Sequence, residues 1–243
     1  MIRVAAVGDV HFGEDSAGTL QPHLPEVADC SDLLVLAGDL TRCGSADEAA
    51  VLAKELDGLP LPVFAVLGNH DYHHDESEAI TGVLEQAGIR VLEGDAEVVT
   101  VGGKRVGVAG IKGFGGGFAG ACGSDFGEPE MKAFVRHTKA TAARLEEALT
   151  SLDTDVRICV LHYSPVAETL RGERLEIYPF LGSYLLAEAV DRAGADIVFH
   201  GHAHGGSEKG VTPGGVRVRN VAQPVIGAAF KAYCLGDDGH EEC

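Results

Sequence analysis

The sequence contains no tryptophan and only two methionines among its 243 residues. It is also poor in positive charge: 19 lysines and arginines stand against 37 aspartates and glutamates, a formal net charge of −18. The basic residues form no stripe, so the chain lacks the electrostatic footprint of a protein that tracks long nucleic acid. The six cysteines, Cys30, Cys43, Cys122, Cys159, Cys234 and Cys243, include no Cys-x-x-Cys pair and no zinc-knuckle spacing, which argues against a thiolate metal site. Scattered without a framework, they suit a reducing compartment. Cys159, inside the apolar run Arg157 to Leu161, reads as a small buried hydrophobe. No apolar stretch approaches the roughly 20 residues of a membrane-spanning helix, so no membrane partner is expected. The first apolar run starts at Ile2 and leaves no room for a signal peptide; a cytoplasmic location is the expectation.

What is present is globular. Hydrophobic residues make up 45% of the chain and charged residues 23%, a balance that builds a core rather than a disordered chain. Short apolar runs recur, and each stops at glycine or a polar cluster. Ile2 to Val7 ends at Gly8-Asp9-Val10-His11, Leu33 to Ala37 at Gly38-Asp39, and Val63 to Leu67 at Gly68-Asn69-His70-Asp71. Ile158 to Leu161 ends at His162, and Ile197 to Phe199 at His200-Gly201-His202-Ala203-His204. Runs this short and apolar on both faces read as strands covered on both sides. Helices are predicted from the Ser45-Ala46-Asp47-Glu48 capping box to about Asp57, and over Glu76 to Ala87, Pro129 to Leu152 and Tyr178 to Ala193. Val98 to Val101, Gly102-Gly103 and Arg105 to Ala109 read as a β-hairpin. A second pair of strands is expected through Val216 to Val221 and Ala232 to Leu235. No linker, repeat or second core is visible, so residues 1–243 are read as a single α/β domain, with an acidic tail from Gly236 to Cys243, including His240, expected to fray.

The polar residues decide the chemistry. Five predicted strands each end in side chains able to bind metal: Asp9 with His11, Asp39, Asn69, His162, and His202 with His204. Ligands of α/β sheets collect at the carboxyl ends of strands, so residues far apart in sequence can converge. Carboxylate, imidazole and amide donors without thiolate suit Mn, Fe or Zn ions.

Asp9-x-His11, Gly38-Asp39, Gly68-Asn69-His70-Asp71, His162 and Gly201-His202-x-His204 resemble the signature of the calcineurin-like metallophosphoesterase family. The five blocks occur in the family's order between residues 9 and 204, each after a strand; any one alone would be a weak match. The resemblance implies a four-layer α/β/β/α sandwich of two mixed sheets. It implies two divalent metal ions, one held by Asp9, His11, Asp39 and His204, the other by Asp39, Asn69, His162 and His202. Asp39 is then the bridge, and one carboxylate can hold two cations roughly 3.5–4 Å apart. His70 is expected to contact the phosphate or protonate the leaving oxygen, and Asp71 to orient His70 and fix its tautomer. The implied reaction is phosphate-ester hydrolysis by a metal-activated hydroxide. Bound cations would invert the local sign of an acidic surface and admit a small anionic substrate.

Among enzymes, the short chain without large insertions resembles small prokaryotic phosphodiesterase members of the family, and the resemblance implies a phosphodiesterase on small, nucleotide-like esters. The alternative is a phosphomonoesterase on a small metabolite. A non-catalytic scaffold of the same fold predicts missing ligands, and none is missing. The segment from Gly110 to Gly127 formally contains Gly115-x-Gly117-x-x-Gly120, but without the strand and helix of a dinucleotide site. It is read as a flexible loop over the metals, with Phe114 and Phe118 contacting substrate or else partly buried. Arg136, His137, Tyr163, Arg171 and Arg174 could read the rest of the substrate, though each taken singly is a solvated or packing residue. His73 and His74 read as a solvated loop, His200 as structural, and His23 has no spacing that recommends it.

Overall fold

The computed structural model describes residues 1–236; apart from Gly236, the predicted acidic tail, with His240 and Cys243, lies outside the described residues. In chain order the strands are β1 (Ile2–Val7), β2 (Leu33–Ala37), β3 (Val63–Val66), β4 (Ile89–Val91), β5 (Asp95–Val101), β6 (Lys104–Ile111), β7 (Gly117–Phe118), β8 (Ala121–Cys122), β9 (Val156–Leu161), β10 (Ile197–His200), β11 (Lys209–Val211), β12 (Arg217–Asn220) and β13 (Lys231–Leu235). The helices are α1 (Leu24–Cys30), α2 (Ala46–Glu55), α3 (Ser77–Gln86), α4 (Pro129–Thr150), α5 (Tyr178–Leu181), α6 (Tyr184–Ala193) and α7 (Gln223–Ile226).

Two large mixed sheets form. The first has the order β13-β1-β2-β3-β4 and the second β11-β12-β10-β9-β6-β5. In the first, β1 to β4 are parallel and β13 closes the edge antiparallel to β1. In the second, β6, β9, β10 and β12 are parallel, flanked by antiparallel β5 and β11. The apolar runs are buried on both faces because each sheet is covered twice. Between the sheets lie Val4, Ala6, Val35 and Phe64 from one and Val106, Ile158, Val160 and Phe199 from the other. On the far side of the first sheet, Val7, Leu34 and Leu36 meet Leu24 and Val27 of α1, Leu52 of α2 and Ile80 and Leu84 of α3. On the far side of the second, Ala109 and Leu161 meet Leu145 and Leu149 of α4 and Leu186 and Val190 of α6. This is the expected four-layer α/β/β/α sandwich.

Local signals hold where they are strong. The predicted hairpin is β5–β6, with Val101 opposite Lys104 and both turn glycines left-handed, Gly102 at φ 56° and Gly103 at φ 79°, as a two-residue turn requires. Ser45 caps α2 by accepting from the Glu48 backbone N–H at 3.2 Å, but the Glu48 carboxylate accepts from Cys43 N–H rather than closing the box on Ser45.

Three expectations change. Val216 to Val221 and Ala232 to Leu235 do form strands, but β12 and β13 belong to different sheets and do not pair. The helix predicted over Tyr178 to Ala193 is broken at Gly182, whose backbone is extended at φ 172°. There the chain pairs with Ser164, and a β-carbon on Gly182 would collide with the Ser164 backbone; Ser183 then caps α6 afresh through Leu185 N–H. The cysteines are not all unpaired: Cys30, Cys43, Cys122 and Cys159 are free, but Cys234 is disulfide-bonded. Cys159 is buried, as expected, and burial lifts its thiol pKa strongly.

Candidate metal centre

The loops that follow β1, β2 and β3 leave the first sheet side by side, and those that follow β9 and β10 leave the second. The β1 and β2 loops continue the pairing of their strands: Asp9 N–H donates to Gly38 O at 2.9 Å and His11 N–H to Asp39 O at 3.0 Å. Among the described residues five non-glycines have left-handed backbone, and four of them are Asp9 (φ 58°), His11 (φ 44°), Asp39 (φ 49°) and His202 (φ 70°). Such conformations cost of order 1–3 kcal/mol each and persist where a site over-determines them. Space is as constrained as torsion. A β-carbon on Gly38 would meet His162 Nδ1 at 2.5 Å, and one on Gly68 or Gly201 would collide with the Asp39 or Asp9 carboxylate.

Two groups of donor atoms result. Asp9, His11, Asp39 and His204 offer ligand atoms within 4.8 Å of one another, as do Asp39, His162 and His202. Asp39 belongs to both. Its Oδ2 lies 3.9 Å from His11 Nε2, and its Oδ1 lies 3.3 Å from His162 Nε2. Asn69 joins the second group, its Oδ1 3.0 Å from His162 Nε2. All seven residues singled out from the sequence as ligands are therefore gathered in one place.

The protons are placed by backbone partners. His162 Nδ1 donates to Ala37 O at 2.9 Å, and complete burial pushes the ring pKa down to about 3, so its Nε2 carries a lone pair. That lone pair, Asn69 Oδ1 and Asp39 Oδ1 converge with no proton between them. Three acceptors facing one another are mutually repulsive unless a cation lies among them. His202 Nε2 donates to Phe180 O at 3.3 Å and burial likewise lowers its pKa to about 3, which leaves Nδ1 unprotonated. Asp9 is raised to about 6 by burial, against the His204 ring and His202 backbone that favour its anion. His204 Nε2 lies 2.8 Å from Asp9 Oδ1, and that hydrogen bond raises its pKa; burial lowers that of His11. The imidazoles of His11, His162 and His202, held toward the neutral form, and the buried carboxylates of Asp9 and Asp39 are the donor states that divalent cations require. The residues fit the group.

His70 stands beside this cluster, its ring 4.5 Å from that of His11 and its Nε2 3.9 Å from Asp39 Oδ2. Its Nδ1 donates to Arg42 O at 2.8 Å. Asp71 therefore does not orient His70, contrary to expectation. Asp71 is wholly buried and accepts from Leu40 N–H, Thr41 N–H, the Thr41 hydroxyl and Gly68 N–H. It ties the β2 and β3 loops together, and burial still raises its pKa to about 6. The positioning of His70 by a carbonyl was invisible in sequence, because any residue at position 42 supplies one.

The remaining candidates divide. His73 and His74 are exposed, and His200 is buried between Gly201 O and Thr169 Oγ1. The glycine-rich segment is not a free loop over the metals. From Gly113 to Phe118 it is largely buried: Phe118 packs on Leu170, Leu181 and Ala203, and Phe114 meets Phe134, His137 and Tyr163. Arg136 is paired with Asp125. Lys112 was missed; its ammonium lies 4.0 Å over the Tyr72 ring, with burial lowering its pKa against the fields of Glu93, Asp39 and Asp71.

The family profile of the calcineurin-like phosphoesterases matches residues 2–206. The chain belongs to that family. A Caenorhabditis elegans protein that carries a metallophosphoesterase name is 23% identical over 209 residues, 84% of this chain and 37% of its own length; the chain thus spans little more than a third of that relative. Among solved structures, a phosphopantetheinyl hydrolase from Mycobacterium tuberculosis superposes with a TM-score of 0.65 at 18% identity, covering 90% of this chain and 88% of its own. A Thermus thermophilus protein, TT1561, does so with a TM-score of 0.52 at 17% identity and coverage of 90% and 88%. At these identities the likeness is one of fold. Membership of the calcineurin-like phosphoesterases makes the chain part of a hydrolase family that typically binds divalent metals, and no described helix is long and apolar enough to cross a membrane.

Proposed function

We propose that this chain is a metal-dependent phosphoric ester hydrolase acting on small phosphodiesters. The observation that carries the reading is Asp39, whose two carboxylate oxygens face two separate groups of donor atoms. In this reading Asp9, His11, Asp39 and His204 hold one cation, and Asp39, Asn69, His162 and His202 hold the other. Bound there, divalent ions supply Lewis-acid neutralisation of the phosphoryl charge and lower the pKa of water.

The chain's own residues do the rest. Ala37 O and Phe180 O fix the tautomers of His162 and His202, so that their free nitrogens face the centre. Arg42 O holds the Nδ1 proton of His70, which leaves Nε2 facing the centre; once protonated there, His70 can donate to a phosphoryl oxygen or give its proton to the leaving oxygen. Preference for a diester is supported by charge. Outside the donor groups, Lys112 stands close enough to feel the Asp39 charge, and Arg42, whose carbonyl holds His70, is spent on Asp15 at 2.8 Å. A monoester dianion would meet little further positive charge, whereas a diester carries one negative charge fewer. The outer ligands and His70 are also open to solvent, with side chains 44% exposed at both His70 and His204, which leaves room for a second ester group.

The test is hydrolysis of bis-p-nitrophenyl phosphate against p-nitrophenyl phosphate, with Mn²⁺ supplied and then removed by chelator. Chelator-sensitive turnover that favours the diester is expected. Preference for the monoester would make the protein a phosphatase, and failure to bind metal would sink the hydrolase reading.

A further inference from the structure

An apolar cleft of about 480 Å³ opens beside the donor cluster, walled by Glu130, Met131 and Phe134 at the start of α4, by Pro179 and Phe180 of α5, and by the β7–β8 hairpin from Gly116. This volume lies within the range of small-molecule sites, about 300–1,000 Å³. Among its lining residues Glu130 alone is charged. Phe180 and Met131 leave 60% and 45% of their surface exposed, an unusual cost for large apolar side chains that stand together.

The cleft is joined to the donor cluster twice. Through the backbone, Phe180 O accepts from His202 Nε2, so the residue that walls the cleft also positions a donor of the second group. Through side chains, an aromatic strip leads outward from His202. The Tyr163 ring lies 4.3 Å from that of His202, Phe114 is 5.9 Å from Tyr163, Phe134 is 5.1 Å from Phe114, and Phe180 is 6.3 Å from Phe134. Tyr163 is buried and Phe114 half-buried, so a group attached to a phosphate held at the donors would reach the cleft past Phe180, the exposed end of this strip. Along the strip the ammonium of Lys112 stands 5.9 Å from the Phe114 ring, away from the cleft; the cleft itself is lined by no cation, and the chain's charge of −18 opposes a second anionic group there.

We propose that the cleft between α4 and α5 binds an extended apolar group of the substrate, so that the esters recognised carry an alkyl or aryl substituent rather than a second charged one. This assignment of substrate class rests on the phosphoesterase reading, but the cleft can be tested apart from turnover. Met131 is one of only two methionines, the other being Met1, so methyl-¹³C methionine labelling gives a single resonance inside the cleft. Zinc-loaded protein is titrated with methyl-, butyl- and octylphosphonate, which cannot be hydrolysed. The Met131 methyl resonance is expected to move with octylphosphonate and hardly with methylphosphonate. The dissociation constant is expected to fall at least about tenfold from methyl to octyl, the equivalent of burying roughly two methylenes. Phe134→Ala should flatten that dependence with zinc content retained.

Affinity independent of chain length, or a Met131 methyl that does not respond, would overturn the proposal. Turnover of methyl p-nitrophenyl phosphate is followed on the same samples and separates the two readings. Turnover without any chain-length dependence would leave a phosphoesterase and remove the apolar subsite. A Met131 response to octylphosphonate without turnover of any ester would keep the subsite and remove the phosphoesterase.

Discussion

Asp9, His11, Asp39 and His202 spend backbone conformational energy to aim their side chains inward, and this concentrates the chemistry of the molecule at single residues. Asp39 is the extreme case. Besides facing both donor groups, its Oδ1 accepts from His70 N–H at 2.8 Å, so it also sets the backbone that carries His70. Asp39→Asn should lower bound metal to less than one ion per chain, as measured by elemental analysis, and reduce turnover to background. His70→Ala should behave differently: full metal content, with kcat lowered roughly 10²–10⁴-fold, the usual contribution of a positioned acid or base. Loss of metal in the His70 variant would make His70 a ligand and overturn its assignment. The donors were legible in sequence because each follows an apolar run that stops abruptly, and a polar side chain at that stop has few structural reasons to be there. Their partners were not, since Ala37 O, Arg42 O and Phe180 O are main-chain atoms contributed by other segments. Asp71 shows the opposite error. Adjacent in sequence to His70, it points away and binds backbone N–H groups of two loops.

At the scale of elements, the loops that present these residues are fastened by a few buried anchors. Glu55, at the end of α2, is buried and accepts from Gly18, Leu20 and Gln21 N–H at 2.6, 3.0 and 3.0 Å. Burial works against its anion, yet these three donors win and hold its pKa below the ordinary 4.5. A carboxyl with a lowered native pKa adds stability above its unfolded pKa and loses it as the pH falls through the native value. Glu55→Gln should therefore cost about 2 kcal/mol at neutral pH, lowering Tm by roughly 4–8 °C. The gap between variant and native protein should close below a pH of about 4.5; a gap constant with pH would count against the argument. Gly182 is the second anchor. Gly182→Ala should destabilise by about 1–3 kcal/mol through overpacking on Ser164, and displacement of Phe180 should weaken metal retention measurably in a chelator competition. Gly182 also marks the limit of periodicity. The apolar pattern of Tyr178 to Ala193 suits one helix, and only the approach of a distant strand end shows why the chain must pause there. The strand runs at 216–221 and 232–235 were likewise legible as strands, whereas their separation into two sheets depends on tertiary pairing.

For the whole molecule, acidity and function pull in opposite directions. The net charge of −18 surrounds the proposed site for an anionic ester, so the global field would repel that substrate until it came close to the cations the donor groups would hold. Raising salt from about 10 to about 150 mM shortens the Debye length from about 30 to about 8 Å. It should therefore increase kcat/KM for a charged diester while leaving a neutral phosphotriester probe unaffected. A fall in kcat/KM would mean that the local positive field dominates at long range. The donor geometry carries a further implication. Asp9, His11 and Asp39 come from loops of the first sheet and His204 from the second, while the other group takes Asp39 from the first sheet and His162 and His202 from the second. Neither sheet can complete either group by itself. The centre is thus a clasp across two leaves, and its formation certifies that they have closed in register: a chain folded in one half only would hold fragments of a site, with neither group complete.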